Sequence, residues 1–342
     1  MGETAGEAQS AALSGRAGRR FARRWGLLFA ALLLAFLGTV ITLNLTLYSA
    51  QGFVGGYLSA LARHDIAGAL APPGVTVPDG ADRRVLTADG LGELGDIRSL
   101  STTSTSTADD ADGTVTVEYG FTLDGKPATS TFSVEAQRPL LGIFSTWSFA
   151  ASPTATLTVT PLGDAGFTAN GVAVTALGPS EPVALAVLAP AAVGLAHDSA
   201  YLLATPRTSL VADPGAQASA ELPIAANPAF VDLVQKQLTG LLDDCTTQTV
   251  LQPTGCPFGE AIRNRIDDVP VWSMVDYPQV MIVPGETPGT WQVPETAGAA
   301  HLVVGVQSLF DGTRSVFDED VPFTVSYLLT FSGDGSVTIT AQ

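Results

Sequence analysis

Two cysteines, three histidines and a scatter of carboxylates are the groups in this 342-residue sequence that could do chemistry. Cys245 and Cys256 flank a Pro253-Thr254-Gly255 corner. A zinc site needs about four ligands, and His64, His197 and His301 are scattered along the chain, with no C-x-x-C spacing for a redox pair. The cysteines therefore read as a disulfide, a bond of oxidising compartments. Among the histidines, His64 sits between Arg63 and Asp65 at a helix end, His197 precedes Asp198 in a loop, and His301 opens a strand. None stands near a Ser or Cys in a nucleophile-like setting, and G-x-S-x-G is absent, so the parts of a histidine-based active site are missing. The acidic stretch 109–113 (DDADG) would need an acid at Ala108 and Glu at Tyr119 to be an EF-hand loop; it reads as a hairpin turn. Asp318, Glu319 and Asp320 read as charge protecting a sheet edge, with calcium binding as the other reading.

The elements around these groups begin with a greasy run. No charged residue occurs from Trp25 to Ala62. Residues 25–48 are apolar enough, and long enough, to span a bilayer as a helix, with Trp25 and Tyr48 at the two interfaces. A cleaved signal peptide is the alternative, but the apolar run is longer than a signal core, and bulky Tyr48 stands where cleavage wants a small residue. Residues 1–24 carry Arg16, Arg19, Arg20, Arg23 and Arg24, which places this tail in the cytoplasm and the rest of the chain outside the plasma (cell) membrane. Five of the sixteen Lys+Arg and two of the thirty-three Asp+Glu lie in the tail, leaving eleven against thirty-one beyond it. A net charge near −20 repels nucleic acid, so no nucleic-acid partner is expected.

Beyond the span, residues 51–150 read as one α+β unit. Phe53, Val54, Tyr57, Leu58 and Leu61 share a helix face. A Pro/Gly loop (71–84) follows, residues 97–107 suit a solvated strand or loop, and strands at 114–123 and 128–136 flank an Asp124-Gly125 hairpin turn. Residues 143–150 close the unit. Residues 154–224, rich in Ala, Val, Thr and Pro, read as a small all-β sandwich. Residues 227–342 form a second α+β unit. Asn227 caps and Pro228 opens a helix whose buried face is Phe230, Val234, Leu238, Leu241 and Cys245. Asp243 and Asp244 oppose the dipole at its end and suggest a neighbouring element to cap or a cation to bind. A short helix at 260–268 and strands at 271–284, 290–294, 301–310, 321–332 and 336–342 complete the unit.

The stretch FVGGYLSALARHDIAGALA (53–71), with later strands ending in WSFA (147–150), resembles an NTF2-like α+β cone module; 227–342 resembles a second one. The whole plan is similar to membrane-anchored exported proteins of the TcaA-like type, and LQPTGCPFG (251–259) and SLFDGTRSVFDEDVPFTVSY (308–327) resemble segments of actinobacterial membrane proteins of that layout. The resemblance implies an α+β fold of two cone modules flanking the sandwich and an envelope role; it supplies no catalytic residue. TcaA-like chains often begin with a cysteine zinc ribbon, and the first 24 residues here hold no cysteine, so no metal or other cofactor is expected. The expected function is non-enzymatic binding or scaffolding, with the bilayer, cell-wall material or another membrane protein as partner. The rival is a small-ligand binder or enzyme using a cavity in the second cone, with Trp272, Asp276, Tyr277, Trp291 and His301 as its candidate lining.

Overall fold

The computed structural model describes residues 7–105, 114–332 and 336–342, with side chains described from Trp25 onward except at 104 and 105; all elements below are counted among these. The stretch 109–113 expected to be a hairpin turn lies outside them.

One helix, α1 (Glu7–Leu45), is long and apolar enough to cross a membrane. Its apolar portion, Trp25–Leu45, spans about 31 Å at 1.5 Å per residue, close to the hydrocarbon thickness of a bilayer. None of that portion is buried against the protein, and its leucines and phenylalanines are exposed. This fits a single-pass protein. Tyr48 falls just beyond the helix, in the turn leading to Ser49.

Ser49 caps α2 (Ala50–Ala62) by accepting from Gly52 N at 3.0 Å. His64 then takes a left-handed φ of 56°, and Asp65 caps the short α3 (Ile66–Leu70). Helix α2 buries Val54, Tyr57, Leu58 and Leu61, the expected face. It lies on a sheet of β1 (Leu94–Thr105), β2 (Thr114–Leu123), β3 (Lys126–Leu140) and β4 (Phe144–Phe149), antiparallel in that order. Asp124 and Gly125 both have positive φ (48° and 70°) and join Leu123 to Lys126 across a two-residue turn, the chemistry that a mirror-image hairpin turn requires. The alternating residues Val117, Tyr119, Phe121, Phe132 and Val134 are buried beneath the helix.

The middle of the chain is a curled sheet. Its strands are β5 (Thr154–Leu162), β6 (Gly166–Ala169), β7 (Val172–Thr175), β8 (Val183–Leu188), β9 (Ala191–Asp198), β10 (Leu202–Val211) and β11 (Gln217–Ala226), with the path β7-β6-β9-β10-β11-β5-β8. The path turns over at β10–β11, where only Leu202–Ala204 pairs with Ile224–Ala226. The other end of β11 runs parallel to β5. Both halves close on one interior that includes Leu157, Val159, Phe167, Leu185 and Leu195. His197, expected in a loop, lies in β9.

Asn227 caps α4 (Pro228–Thr246) by accepting from Phe230 N at 3.0 Å. The buried row is Phe230, Val234, Leu238, Leu242 and Cys245. Leu241, expected in that row, is 41% exposed. The helix packs along a tilted i, i+4 ridge, which takes Leu242 and turns Leu241 outward. The remaining strands are β12 (Arg265–Ile266), β13 (Val271–Asp276), β14 (Val283–Pro284), β15 (Thr290–Gln307), β16 (Arg314–Phe331) and β17 (Val337–Ala341). β15 and β16 make one long hairpin, β17 adds to β16, and β12, β13 and β14 each cover part of β15's other edge.

Several sequence expectations are corrected here. Residues 260–268 are not a helix; Arg265 and Ile266 extend to pair with Gln307 and Val306. A two-turn helix is marginal by itself, and the open edge of β15 offers a ladder instead. The single strand expected over 271–284 breaks between Asp276 and Val283, around Pro278, which cannot donate to a ladder. Conversely, the strands expected at 290–294 and 301–310 are one, with Pro294 and Glu295 absorbed in a register shift between Val293 and Thr296. His301 is therefore mid-strand.

The three units are joined by buried contacts rather than strung on linkers. The Tyr57 hydroxyl donates to Ala189 O at 2.8 Å, with Pro153 O at 3.0 Å. Leu188 and Ala192 of the middle sheet pack into the first core, and Val85 of the first unit packs into the middle one. Asp82 exchanges backbone bonds with Ala184 and Ala186. At the other junction Trp291 is almost fully buried and packs edge-on against Phe230, with Gly163 close enough that a Cβ there would lie 3.2 Å from the indole. Tyr201 stacks on Phe331. One apolar core thus runs through the middle sheet and the third unit.

Candidate functional site

The five residues proposed to line a cavity in the third unit are set by strand parity. Trp272 on β13 pairs with Leu302 and faces α4's side of the sheet; it is buried against Phe258, and its indole N–H donates to Val250 O at 2.8 Å. Trp291 is buried on the same side. His301 is one residue from Leu302, so it projects from the opposite face, where it pairs with Ser273. Asp276 is exposed at the end of β13. Tyr277 is half-buried, and its hydroxyl donates to the Asp243 carboxylate in a very short bond. The two indoles are core, and the three ionisable side chains stand on the surface. The principal cavities among the described residues are lined by none of these five.

The Tyr277–Asp243 contact explains the carboxylate that opposed the α4 dipole. Asp243 ties the end of α4 to the segment after β13, and the hydrogen bond it accepts holds the Tyr277 phenol above the usual tyrosine value. Cys245 lies two residues further on and bridges to Cys256, with Cα atoms 5.8 Å apart. Gln248 grips the same loop, accepting from Thr254 N and donating to Thr254 O.

His301 is held on both sides. Its Nδ1 lies 2.7 Å from Asp320 and its Nε2 3.0 Å from Asp318. The Asp320 hydrogen bond above all, with Asp318 adding its charge, raises the imidazole pKa. A ring whose two nitrogens both donate to carboxylates has no lone pair for general-base work. The acids expected to guard a sheet edge thus also act as a clamp on a histidine. They lie on the half of β16 that pairs with β15 alone, since β17 reaches only Tyr327–Phe331. Among the described residues no group of three or more His, Cys, Asp and Glu is placed to hold a metal ion. His64 has its Nδ1 2.9 Å from Ala88 O, and His197 its Nδ1 2.6 Å from Gly166 O; both rings contact backbone carbonyls.

A concavity does exist elsewhere in the third unit. It is a groove between α4 and β17, about 280 Å³, lined mostly by apolar side chains such as Val234, Leu238, Leu241 and Ile339, with Tyr327 and Gln237 beside them. It continues past Leu241 toward Cys256 and Val325 in a further space of about 270 Å³. Tyr327 is the one ionisable side chain in its lining, and burial raises its pKa. The displaced Leu241 forms the shared wall, so an error of one position in the helix stripe also hid the groove.

A second feature lies where the span meets the first unit. The Asn44 side chain donates to Ile143 O at 2.9 Å and accepts from Ser145 N at 2.8 Å. Trp147 donates its indole N–H to Tyr48 O, and Tyr48 stacks on Phe144 with ring centres 4.7 Å apart. The span is thereby bolted to β4. Tyr48 is readable from sequence as an interfacial residue, but its pairing with β4 joins positions about a hundred residues apart and leaves no local pattern. Compared with family models, curated proteins and solved structures, the chain matches none.

Proposed function

We propose that this is a single-pass envelope protein, with its basic tail in the cytoplasm and its acidic bulk outside, that works by non-enzymatic binding or scaffolding. The observation that carries the reading is mechanical. From Asn44 to β17 the chain is held by side-chain junctions, buried at Tyr57 and Trp291 and partly exposed at Asn44, so the anchor presents the third unit on a stiff support. The disulfide suits an oxidising compartment, and the doubly held His301 is poorly suited to proton transfer. A helix laid on a curled antiparallel sheet occurs twice, as α2 on β1–β4 and α4 on β12–β17, and this supports reading the two units as NTF2-like modules in a TcaA-like plan. The candidate partners are cell-wall material or another membrane protein; the acidic exterior disfavours nucleic acid.

The mostly apolar lining of the α4–β17 groove favours recognition over catalysis, because its polar side chains offer no paired acid and base. Two measurements test the proposal. A reporter fused after Gln342 should be active outside the cytoplasm and silent within it. Crosslinking in intact cells, followed by recovery from detergent-solubilised membranes, should bring down wall polymer or a specific membrane protein. Recovery of the chain by itself would overturn scaffolding.

A further inference from the structure

The β3–β4 hairpin lies beside the end of the apolar helix, and its strands pair as far as Leu140 and Phe144. Pro139 falls in the register shift between Gln137 and Leu140, where a residue without an N–H is tolerated. At the tip Leu140, Leu141 and Ile143 are 51%, 82% and 43% exposed. Leu141 takes a left-handed φ of 53° beside Gly142 at 69°, an expensive conformation for a leucine, and the turn sets its side chain outward. From 136 to 149 the one charged residue is Arg138, a cation in a strongly acidic protein. The hairpin is fixed to the last turn of the span by Asn44, whose side chain bonds the backbone at 143 and 145. Leu45 and Leu47 beside it are also exposed.

Resting on the single-span reading, we propose that Leu140, Leu141 and Ile143 enter the outer leaflet of the same bilayer that holds the span, making a second membrane contact. The occupant follows from continuity: the tip is bonded to Asn44, one residue from the end of a segment as long as the hydrocarbon is thick. Apolar side chains at that depth sit at the headgroup–acyl boundary, about 5–10 Å in. Arg138 would meet lipid phosphate there, and Tyr48 and Trp147 occupy the belt where interfacial aromatics collect. The hairpin tip's own backbone bonds, Gly142 N to Pro139 O and Ile143 N to Leu140 O, lower the cost of bringing that turn out of water.

The test uses the full chain in phosphatidylcholine/phosphatidylglycerol vesicles, labelled with nitrobenzoxadiazole at one added cysteine; the native pair is a disulfide and stays unlabelled without reductant. Leu141→Cys reports the hairpin, Leu34→Cys the span, and Leu177→Cys, fully exposed on the middle unit, the aqueous phase. Lipids carrying a nitroxide at a shallow or a deep position serve as quenchers. The label at 141 should shift to the blue and be quenched best by the shallow nitroxide, the label at 34 by the deep one, and the label at 177 by neither. Quenching at 34 without quenching at 141 overturns the hairpin contact and leaves the anchor intact. Absence of quenching at 34 overturns the anchor reading, and the hairpin contact falls with it.

Discussion

His301 shows how little a residue type says without its neighbours. As a histidine in a strand it could have been a base, a ligand or an ornament. Two aspartates on the adjoining strand favour its charged form. The folded pKa is raised above the ordinary value, so the clamp's contribution is present in full at pH below the unfolded value of about 6.5 and is lost as pH rises through the raised folded value. Replacing His301 with Gln should therefore lower the urea midpoint at mildly acidic pH and leave it nearly unchanged at alkaline pH. A uniform loss across that range would mean the ring serves packing alone. Asp311 behaves oppositely. The Thr313 hydroxyl first, then Ser308, hold its carboxylate down to about 2, so the turn it organises should persist through ordinary acid conditions.

At the scale of elements, the α4–loop staple and the long β15–β16 hairpin carry the third unit. Closing the loop between Cys245 and Cys256 is worth about 3 kcal/mol in the chain-entropy model. A Cys245→Ala/Cys256→Ala variant should thus show a lower denaturation midpoint, and dithiothreitol should lower that of the native chain by a similar amount while leaving the variant's unchanged. Gly298 marks a tight spot in β15: a Cβ there would lie 2.6 Å from the Phe323 ring and 2.9 Å from Pro278. Gly298→Ala is expected to cost about 1–3 kcal/mol through overpacking, measurable by urea titration. These elements also divide what the sequence disclosed from what it hid. Asn227-Pro228 announced α4, and Asp124-Gly125 announced the β2–β3 turn, because caps and tight turns are written in adjacent residues. The sequence suggests two strands, 290–294 and 301–310, where the fold has one, β15, and Pro294 and Gly298 both lie at or inside that expected gap. In the fold, a register shift absorbs the proline, and the packing of Phe323 and Pro278 accounts for the glycine.

Across the whole molecule, sequence suggested separate units and the structure joins them. The Pro/Gly loop at 71–84 brings Asp82 into backbone bonds with the middle sheet, and Val85 just after it packs into that sheet's core. Such junctions depend on pairs far apart in the chain, so no local periodicity reveals them. The candidate site was illegible for a related reason: alternation places Trp272 and His301 on opposite faces only once their register is known. Tyr57→Phe should weaken the first junction by about 1–3 kcal/mol, since it strips a buried bond from two carbonyls. Hydrogen exchange should then show faster opening in β1–β4 than in β12–β17; equal acceleration throughout would mean that the units unfold as one body.

The bolt at Asn44 has one more consequence. A chain that leaves the lipid through a slack leader can sweep a hemisphere above it. Here rotation of the helix about its own axis would turn everything beyond it through the same angle, as a key turns with its bow. In the single-span reading, height above the lipid and compass bearing become fixed properties of the protein, and only a neighbour lying at the right azimuth can be reached.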